Sequence, residues 1–138
     1  MDFGNLQEIY VFKKQLHEKL LLYIGFKILC ALQYLQNKKI LHRDLKPSNI
    51  LLSTEGDIKL ADFGESGNLH QTLSYKKTLV GTLLYNSPER VRGDNYYLNC
   101  DVWSLGIIIL EGAIGRNPLL RLNEKREGLD FMKFVQRV

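Results

Sequence analysis

The stretch His42-Arg43-Asp44-Leu45-Lys46-Pro47-Ser48-Asn49, followed downstream by Asp62-Phe63-Gly64, decides how this chain is read. Together the two motifs hold the parts of a phosphoryl-transfer site in one compact span. Such transfer asks a protein for little covalent chemistry; it asks for positioning and for neutralisation of spreading negative charge. Asp44 can accept the proton of an attacking hydroxyl, and Lys46 can neutralise a phosphate in transit. Asn49 and Asp62 offer hard oxygen ligands for magnesium. Either tripeptide alone would read as a surface turn built on Asp and Gly. Lys46 and Asn49 in register, with two short apolar runs between the motifs, ask for more than a turn.

Working outward, Leu21, Ile24, Ile28, Leu32 and Leu35 recur at helical spacing and predict a helix over 17–37, closed by Asn37-Lys38-Lys39. Leu6, Ile9 and Tyr10 predict a shorter helix over 5–14. Ile40-Leu41 and residues 50–53 read as short strands, and Glu55-Gly56-Asp57 turns the second of them into residues 58–61 as a hairpin. Asp44 then lies on the loop leaving Leu41 and Asp62 at the end of the hairpin, so both converge at one end of it. Residues 65–90 have weak periodicity and many Gly, Ser, Thr and Asn, the composition of a long functional loop. Residues 99–115 predict a helix apolar nearly all round, which belongs in the middle of a bundle. Phe131, Phe134 and Val135 predict one further helix. The fold class expected is mainly α (α+β), a helical bundle with one small hairpin.

Composition narrows the function classes. The 138 residues are 45% hydrophobic and 25% charged, ordinary for one soluble domain, with no repeat or low-complexity linker. Cys30 and Cys100 form no CxxC pair, and His17, His42 and His70 show no ligand spacing with them, which argues for a reducing compartment and against zinc or a disulfide framework. The net charge of +4 is spread over pairs such as Lys13-Lys14, Lys38-Lys39 and Lys76-Lys77, the look of solvated surface and not of a nucleic-acid interface. No signal peptide is recognisable, and the most apolar stretch, 102–114, is too short to span a bilayer. A cytoplasmic protein is expected.

With these residues in place, the chain resembles the larger lobe of the eukaryotic protein kinases, from about Met1 to Pro118. The resemblance implies a partial kinase domain over 1–138, from the hinge region through the helix after the activation segment. It implies Asp44 as catalytic base, Lys46 as the phosphate-contacting lysine of Ser/Thr-directed enzymes, and Asn49 and Asp62 as magnesium ligands. Leu51 resembles the floor of the adenine pocket, with Ser48 beside the nucleotide, so ATP and Mg are the implied cofactors. His42 and Phe63, with Gly64 after it, resemble members of an internal spine, and Asp101 the buried aspartate that braces the catalytic loop.

The subfamily is suggested by Gly81-Thr82-Leu83-Leu84-Tyr85-Asn86-Ser87-Pro88-Glu89-Arg90, where Ser-Pro-Glu replaces the commoner Ala-Pro-Glu. With Ser66-Gly67, Gly115-Arg116-Asn117-Pro118 and Met1-Asp2-Phe3-Gly4-Asn5-Leu6, it is similar to the MAP kinase kinases, dual-specificity enzymes that phosphorylate Thr and Tyr of a MAP kinase and answer to an upstream kinase. Thr82 would then contact Asp44 and Lys46, and Thr78 would be an activating phosphosite. Both Thr72 and Ser74 fit a first phosphosite, and a phosphate there would carry about two negative charges toward Arg43. Glu65 departs from the apolar residue usual after the DFG.

The same resemblance places Met1 at the hinge, so the smaller lobe is expected to be missing. These 138 residues hold no Gly-rich phosphate loop and no strand lysine, and Val11-Phe12-Lys13 matches Val-Ala-Ile-Lys only superficially. The arginine that normally pairs with Glu89 is not found either. Two readings follow. The chain is a piece of a MAP-kinase-kinase-like enzyme, inactive or very weak alone, or it is a non-catalytic module that docks a kinase partner as decoy or scaffold.

Overall fold

The computed structural model describes residues 1–62, 83–94 and 98–120. The first helix, α1, spans Leu6–Lys13 and starts where Asn5 caps it: the Asn5 side chain accepts from Glu8 N at 3.1 Å and donates to Glu8 Oε1 at 2.7 Å. Gly4 precedes the cap at φ +84, with the Glu8 carboxylate where a Cβ would sit. The second helix, α2, spans Glu18–Asn37, with His17 Nδ1 accepting from Lys19 N at 3.3 Å. Its buried residues are the five picked out by spacing, Leu21, Ile24, Ile28, Leu32 and Leu35. Each such side chain stabilises by about 1.5–3 kcal/mol when fully buried.

A three-residue 3-10 turn, Pro47–Asn49, feeds strand β1 (Ile50–Leu52), which pairs antiparallel with β2 (Ile58–Leu60) in the register Ile50↔Leu60, Leu51↔Lys59, Leu52↔Ile58. The turn between them closes with Ser53 N to Asp57 O at 3.0 Å and Gly56 N to Ser53 O at 3.1 Å, Gly56 supplying φ +88. Ile50 and Leu52 point into the core while half-buried Leu51 lies on the other side, the alternation a strand imposes. Residues before α1 run along β1: Phe3 N donates to Leu52 O, Leu52 N to Gly4 O, and Asn5 bridges Leu51.

Among the described residues two further helices follow, α3 (Pro88–Arg92) and α4 (Asn99–Ile114), each closed by a glycine in the left-handed region, Gly93 and Gly115. Helices α2 and α4 pack together, and one core cluster takes in Ile24, Ile28 and Leu32 from α2, Leu105 and Ile108 from α4, Ile50 and Leu52 from β1, and Leu6 and Tyr10 from α1. Gly25 on α2 lets Ile109 of α4 approach to 3.5 Å of where a Cβ would stand.

The mainly helical architecture with one hairpin agrees with expectation, and three details differ. Ile40 makes a single β-bridge and Leu41 none, short of a strand; Ile40 N donates back to Leu35 O, finishing the C-terminus of α2. The stretch read as loop over 65–90 ends in a helix, because Pro88 can start one at a position that needs no N–H donor. Helix α4 is not covered all round: Val102, Leu110 and Ile114 are 46%, 50% and 41% exposed, since among the described residues α2 packs on one side of it. The helix expected around Phe131 lies outside the described residues. Among the described residues no helix is long and apolar enough to cross a membrane.

Candidate active site

The loop His42–Lys46 joins the C-terminal end of α2 to the 3-10 turn, and its backbone is held from α4. Asp101, in the first turn of α4 and 1% exposed, accepts from His42 N at 2.9 Å through Oδ2 and from Arg43 N at 3.0 Å through Oδ1. A buried carboxylate is costly unless its oxygens are bonded, and here each takes a backbone N–H. Arg43 sits at φ +68, a conformation that costs a residue with a Cβ about 1–2 kcal/mol. Its carbonyl accepts from Arg90 Nη1 of α3. The loop is therefore fixed by two helices just before Asp44.

Asp44 and its neighbours form a compact polar cluster. Lys46 Nζ lies 2.6 Å from Asp44 Oδ2, with the two side chains 21% and 14% exposed. Asn49, 6% exposed, donates from Nδ2 to the Asp44 carbonyl at 2.9 Å and to Asp44 Oδ2 at 3.1 Å. Two donors thus converge on one carboxylate oxygen, and neither takes the other. Pro47 makes this possible by starting the 3-10 turn, which brings Asn49 back over Asp44.

Asp62 reaches the same neighbourhood through the hairpin. Ala61 N donates to Asn49 O at 2.9 Å, so Asp62 is the first residue beyond the pairing that ends at Asn49; it is exposed, at φ +59. Because Asn49 spends Nδ2 on Asp44, its Oδ1 is left for another partner. An amide oxygen and a carboxylate on adjacent strand ends are an all-oxygen donor pair, which fits magnesium and not a soft transition metal. Among the described residues no group of three or more His, Cys, Asp or Glu gathers as a metal site. Ser48 is exposed on the 3-10 turn and Leu51 half-buried on β1.

His42 is fully buried, and burial holds its imidazole pKa below the ordinary 6.5, outweighing the charge of Asp101, which pulls it up; a hydrogen bond with the Ala61 backbone and the charge of Asp44 act in the same direction as Asp101. Glu89 is half-buried in the first turn of α3, and its carbonyl accepts from Asp94 N at 2.9 Å. Phe63, Gly64, Thr72, Ser74, Thr78 and Thr82 lie outside the described residues.

A second polar cluster escapes sequence reasoning. Tyr85 Oη donates to Glu111 Oε2 at 2.6 Å, Tyr10 Oη donates to the Ile108 carbonyl at 2.8 Å, and buried Asn117 accepts from Leu119 N at 3.0 Å through Oδ1. Burial pushes the Glu111 carboxyl up from 4.5 and the Tyr85 hydroxyl up from 10.0. Ser104 Oγ donates to Tyr85 O at 2.7 Å, so α4 holds the residues before α3 by side chain and backbone alike. The available signal was Glu111, the one charged residue of the apolar run 102–114.

Comparison with known proteins matches residues 1–137 to the protein kinase domain model. Among relatives, the Dictyostelium discoideum dual specificity mitogen-activated protein kinase kinase 1 is 47% identical over 119 residues, covering 86% of this chain and 18% of that protein. The Physcomitrium patens mitogen-activated protein kinase kinase 1c is 44% identical over 119 residues, covering 86% of this chain and 34% of that protein. The chain spans about a third or less of these relatives' length.

Proposed function

This chain belongs to the protein kinase family and is MAP-kinase-kinase-like, and from that premise we propose that the protein carrying it transfers the γ-phosphoryl group of ATP to Thr and Tyr hydroxyls of a MAP kinase. The observation that carries this reading is the Asp44 carboxylate, with Oδ2 held by Lys46 and Asn49 and its backbone braced through Asp101. Asp44 is then the residue that orients the substrate hydroxyl and takes its proton as oxygen attacks Pγ and ADP leaves. Lys46, beside it, offsets the charge gathering on the phosphoryl oxygens. Asn49 and Asp62 would hold magnesium, which when bound neutralises phosphate charge. Ser48 and Leu51 border the nucleotide. By the same reading His42 and Phe63 would belong to a spine, Thr82 would meet Asp44 and Lys46, and Thr72 or Ser74 with Thr78 would carry regulatory phosphates that pair with Arg43.

In this reading the chain is the larger lobe of the kinase domain. The 138 residues alone are expected to transfer little phosphate, since they bring no Gly-rich loop over the nucleotide to exclude water. The test therefore uses the protein purified from its own cells, at whatever length it occurs there, with a catalytically dead MAP kinase as acceptor. Mg-ATP-dependent labelling of that acceptor is expected, and Asp44→Asn should lower the rate by about 10²–10⁴-fold, the usual worth of a general base. Undiminished transfer by the variant would overturn the assignment.

A further inference from the structure

Away from this site, the hairpin turn is clamped to the residues that precede α1. Thr54 Oγ1 donates to Asp2 Oδ2 at 2.7 Å and Thr54 N to Asp2 Oδ1 at 3.2 Å, both residues being exposed. The clamp sits at one end of the strip along β1, where Phe3 N meets Leu52 O at 3.3 Å and Leu52 N meets Gly4 O at 3.0 Å. The hydroxyl bond is also the largest cause of the lowered Asp2 pKa. The turn itself has separate supports: Tyr23 Oη of α2 donates to Gly56 O at 3.0 Å, and Asp57 N donates to Ser53 Oγ at 2.9 Å. Breaking the clamp would therefore loosen the strip at that end, leaving it on the Phe3–Leu52 and Leu52–Gly4 backbone bonds, and leave the turn standing.

The local sequence is Thr54-Glu55-Gly56-Asp57, a hydroxyl on an exposed turn with acids one and three residues after it. A kinase with a basic substrate groove reads that pattern by charge. Ser53 is a poorer acceptor, because it is half-buried and its Oγ already takes the Asp57 N–H.

We propose that Thr54 is phosphorylated by an acid-directed protein kinase acting in trans, and that the phosphate releases residues 1–5 from β1. In the step, Thr54 Oγ1 bonds to Pγ of ATP, the Pγ–O bond to the β-phosphate breaks, ADP departs with that electron pair, and the hydroxyl proton passes to the modifying enzyme's base. The hydroxyl donor to Asp2 is gone, and about two negative charges then face a carboxylate held only by the Thr54 N–H, a repulsion that outweighs that one bond. Asn5 bridges Leu51, so under the function proposed above, on which this clause alone rests, the modified protein binds nucleotide more weakly.

The experiment treats the purified chain, carrying Asp44→Asn so that its own transfer is off, with casein kinase II and ATP, then maps the phosphate by tandem mass spectrometry. One phosphate on Thr54 is expected, absent in a Thr54→Val version and several-fold lower with Asp57→Asn. Amide exchange at Phe3 and Leu52 should become about ten-fold faster on modification, the loss of one charge-assisted hydrogen bond, while Asp57 is unchanged. No phosphate on Thr54, or a phosphate there with Phe3 and Leu52 exchanging as before, overturns the proposal. Neither result depends on the chain being an active kinase, so the two proposals fail separately.

Discussion

Asp101 shows how much of the candidate site depends on a residue that need not touch substrate. Its two oxygens each accept one backbone N–H, from His42 and Arg43, and no neutral side chain of the same shape can do both. Asp101→Asn keeps one acceptor and turns an NH₂ group against the other N–H. Hydrogen bonds to a charged partner are worth about 1.5–3 kcal/mol each, so a loss of about 3 kcal/mol is expected, read as a lower urea midpoint. A variant within about 0.5 kcal/mol of wild type would mean that the loop is held by other contacts. His42 makes a second, pH-dependent test. Burial lowers its folded pKa beneath 6.5, so between that value and 6.5 the unfolded chain binds a proton that the folded chain does not. This contribution leaves stability undiminished above pH 6.5 and erodes it as pH falls from 6.5 through the folded pKa. Glu111, raised from 4.5, acts with opposite sign, because there the folded chain binds the extra proton. His42→Gln isolates the histidine: whatever its overall cost, its stability should fall less steeply than wild type's on acidification below pH 6.5. Equal slopes would refute a buried neutral imidazole.

At the scale of elements, the two interior glycines of α4 separate propensity from packing. Gly106 has nothing within 4 Å of an added Cβ, so Gly106→Ala should stabilise by about 0.5–1 kcal/mol through helix propensity alone. At Gly112 the same methyl meets Leu21 Cδ2 at 2.6 Å and Tyr10 Oη at 2.8 Å. Tyr10 cannot step back without giving up its bond to Ile108 O, so overpacking of about 1–3 kcal/mol outweighs the propensity gain. Thermal melts of both variants should shift in opposite directions; shifts of one sign would show that Leu21 and Tyr10 yield freely. The contrast also explains which elements were legible beforehand. Helix α2 and the hairpin declare themselves through spacing, because one face of each is buried against the rest. Helix α3 has five residues, fewer than periodicity can register, and only Pro88 marks its start. In the candidate site, Asp44, Lys46 and Asn49 are close in sequence and their grouping is readable from it. Arg90 on the Arg43 carbonyl and Tyr85 on Glu111 join residues 47 and 26 apart, and nothing local announces such pairs.

For the molecule as a whole, the unusual feature is how much apolar surface faces water. Leu22, Phe26 and Leu29 are 65%, 64% and 48% exposed and, at spacings of four and three, form one stripe along α2. Val11 and Phe12 on α1 are 71% and 89% exposed. Burying one Phe or Leu gains about 1.5–3 kcal/mol, so even half-covering such a stripe in a contact between copies favours association. The opposing term is a net charge of +4, spread over the surface and screened within about 8 Å at physiological salt. Apolar attraction wins that comparison, and the 138-residue chain is expected to self-associate reversibly, more tightly as sodium sulfate is added. Sedimentation velocity over a concentration series should show a rising weight-average coefficient for wild type and a nearly constant one for Phe26→Glu. The substitution sits on an exposed position, so its fold should be unchanged by circular dichroism. A wild-type chain that stays monomeric at every concentration and salt would show that the stripe is tolerated in water. Association undiminished in Phe26→Glu would move the contact to another face, with Val11 and Phe12 the next to be replaced.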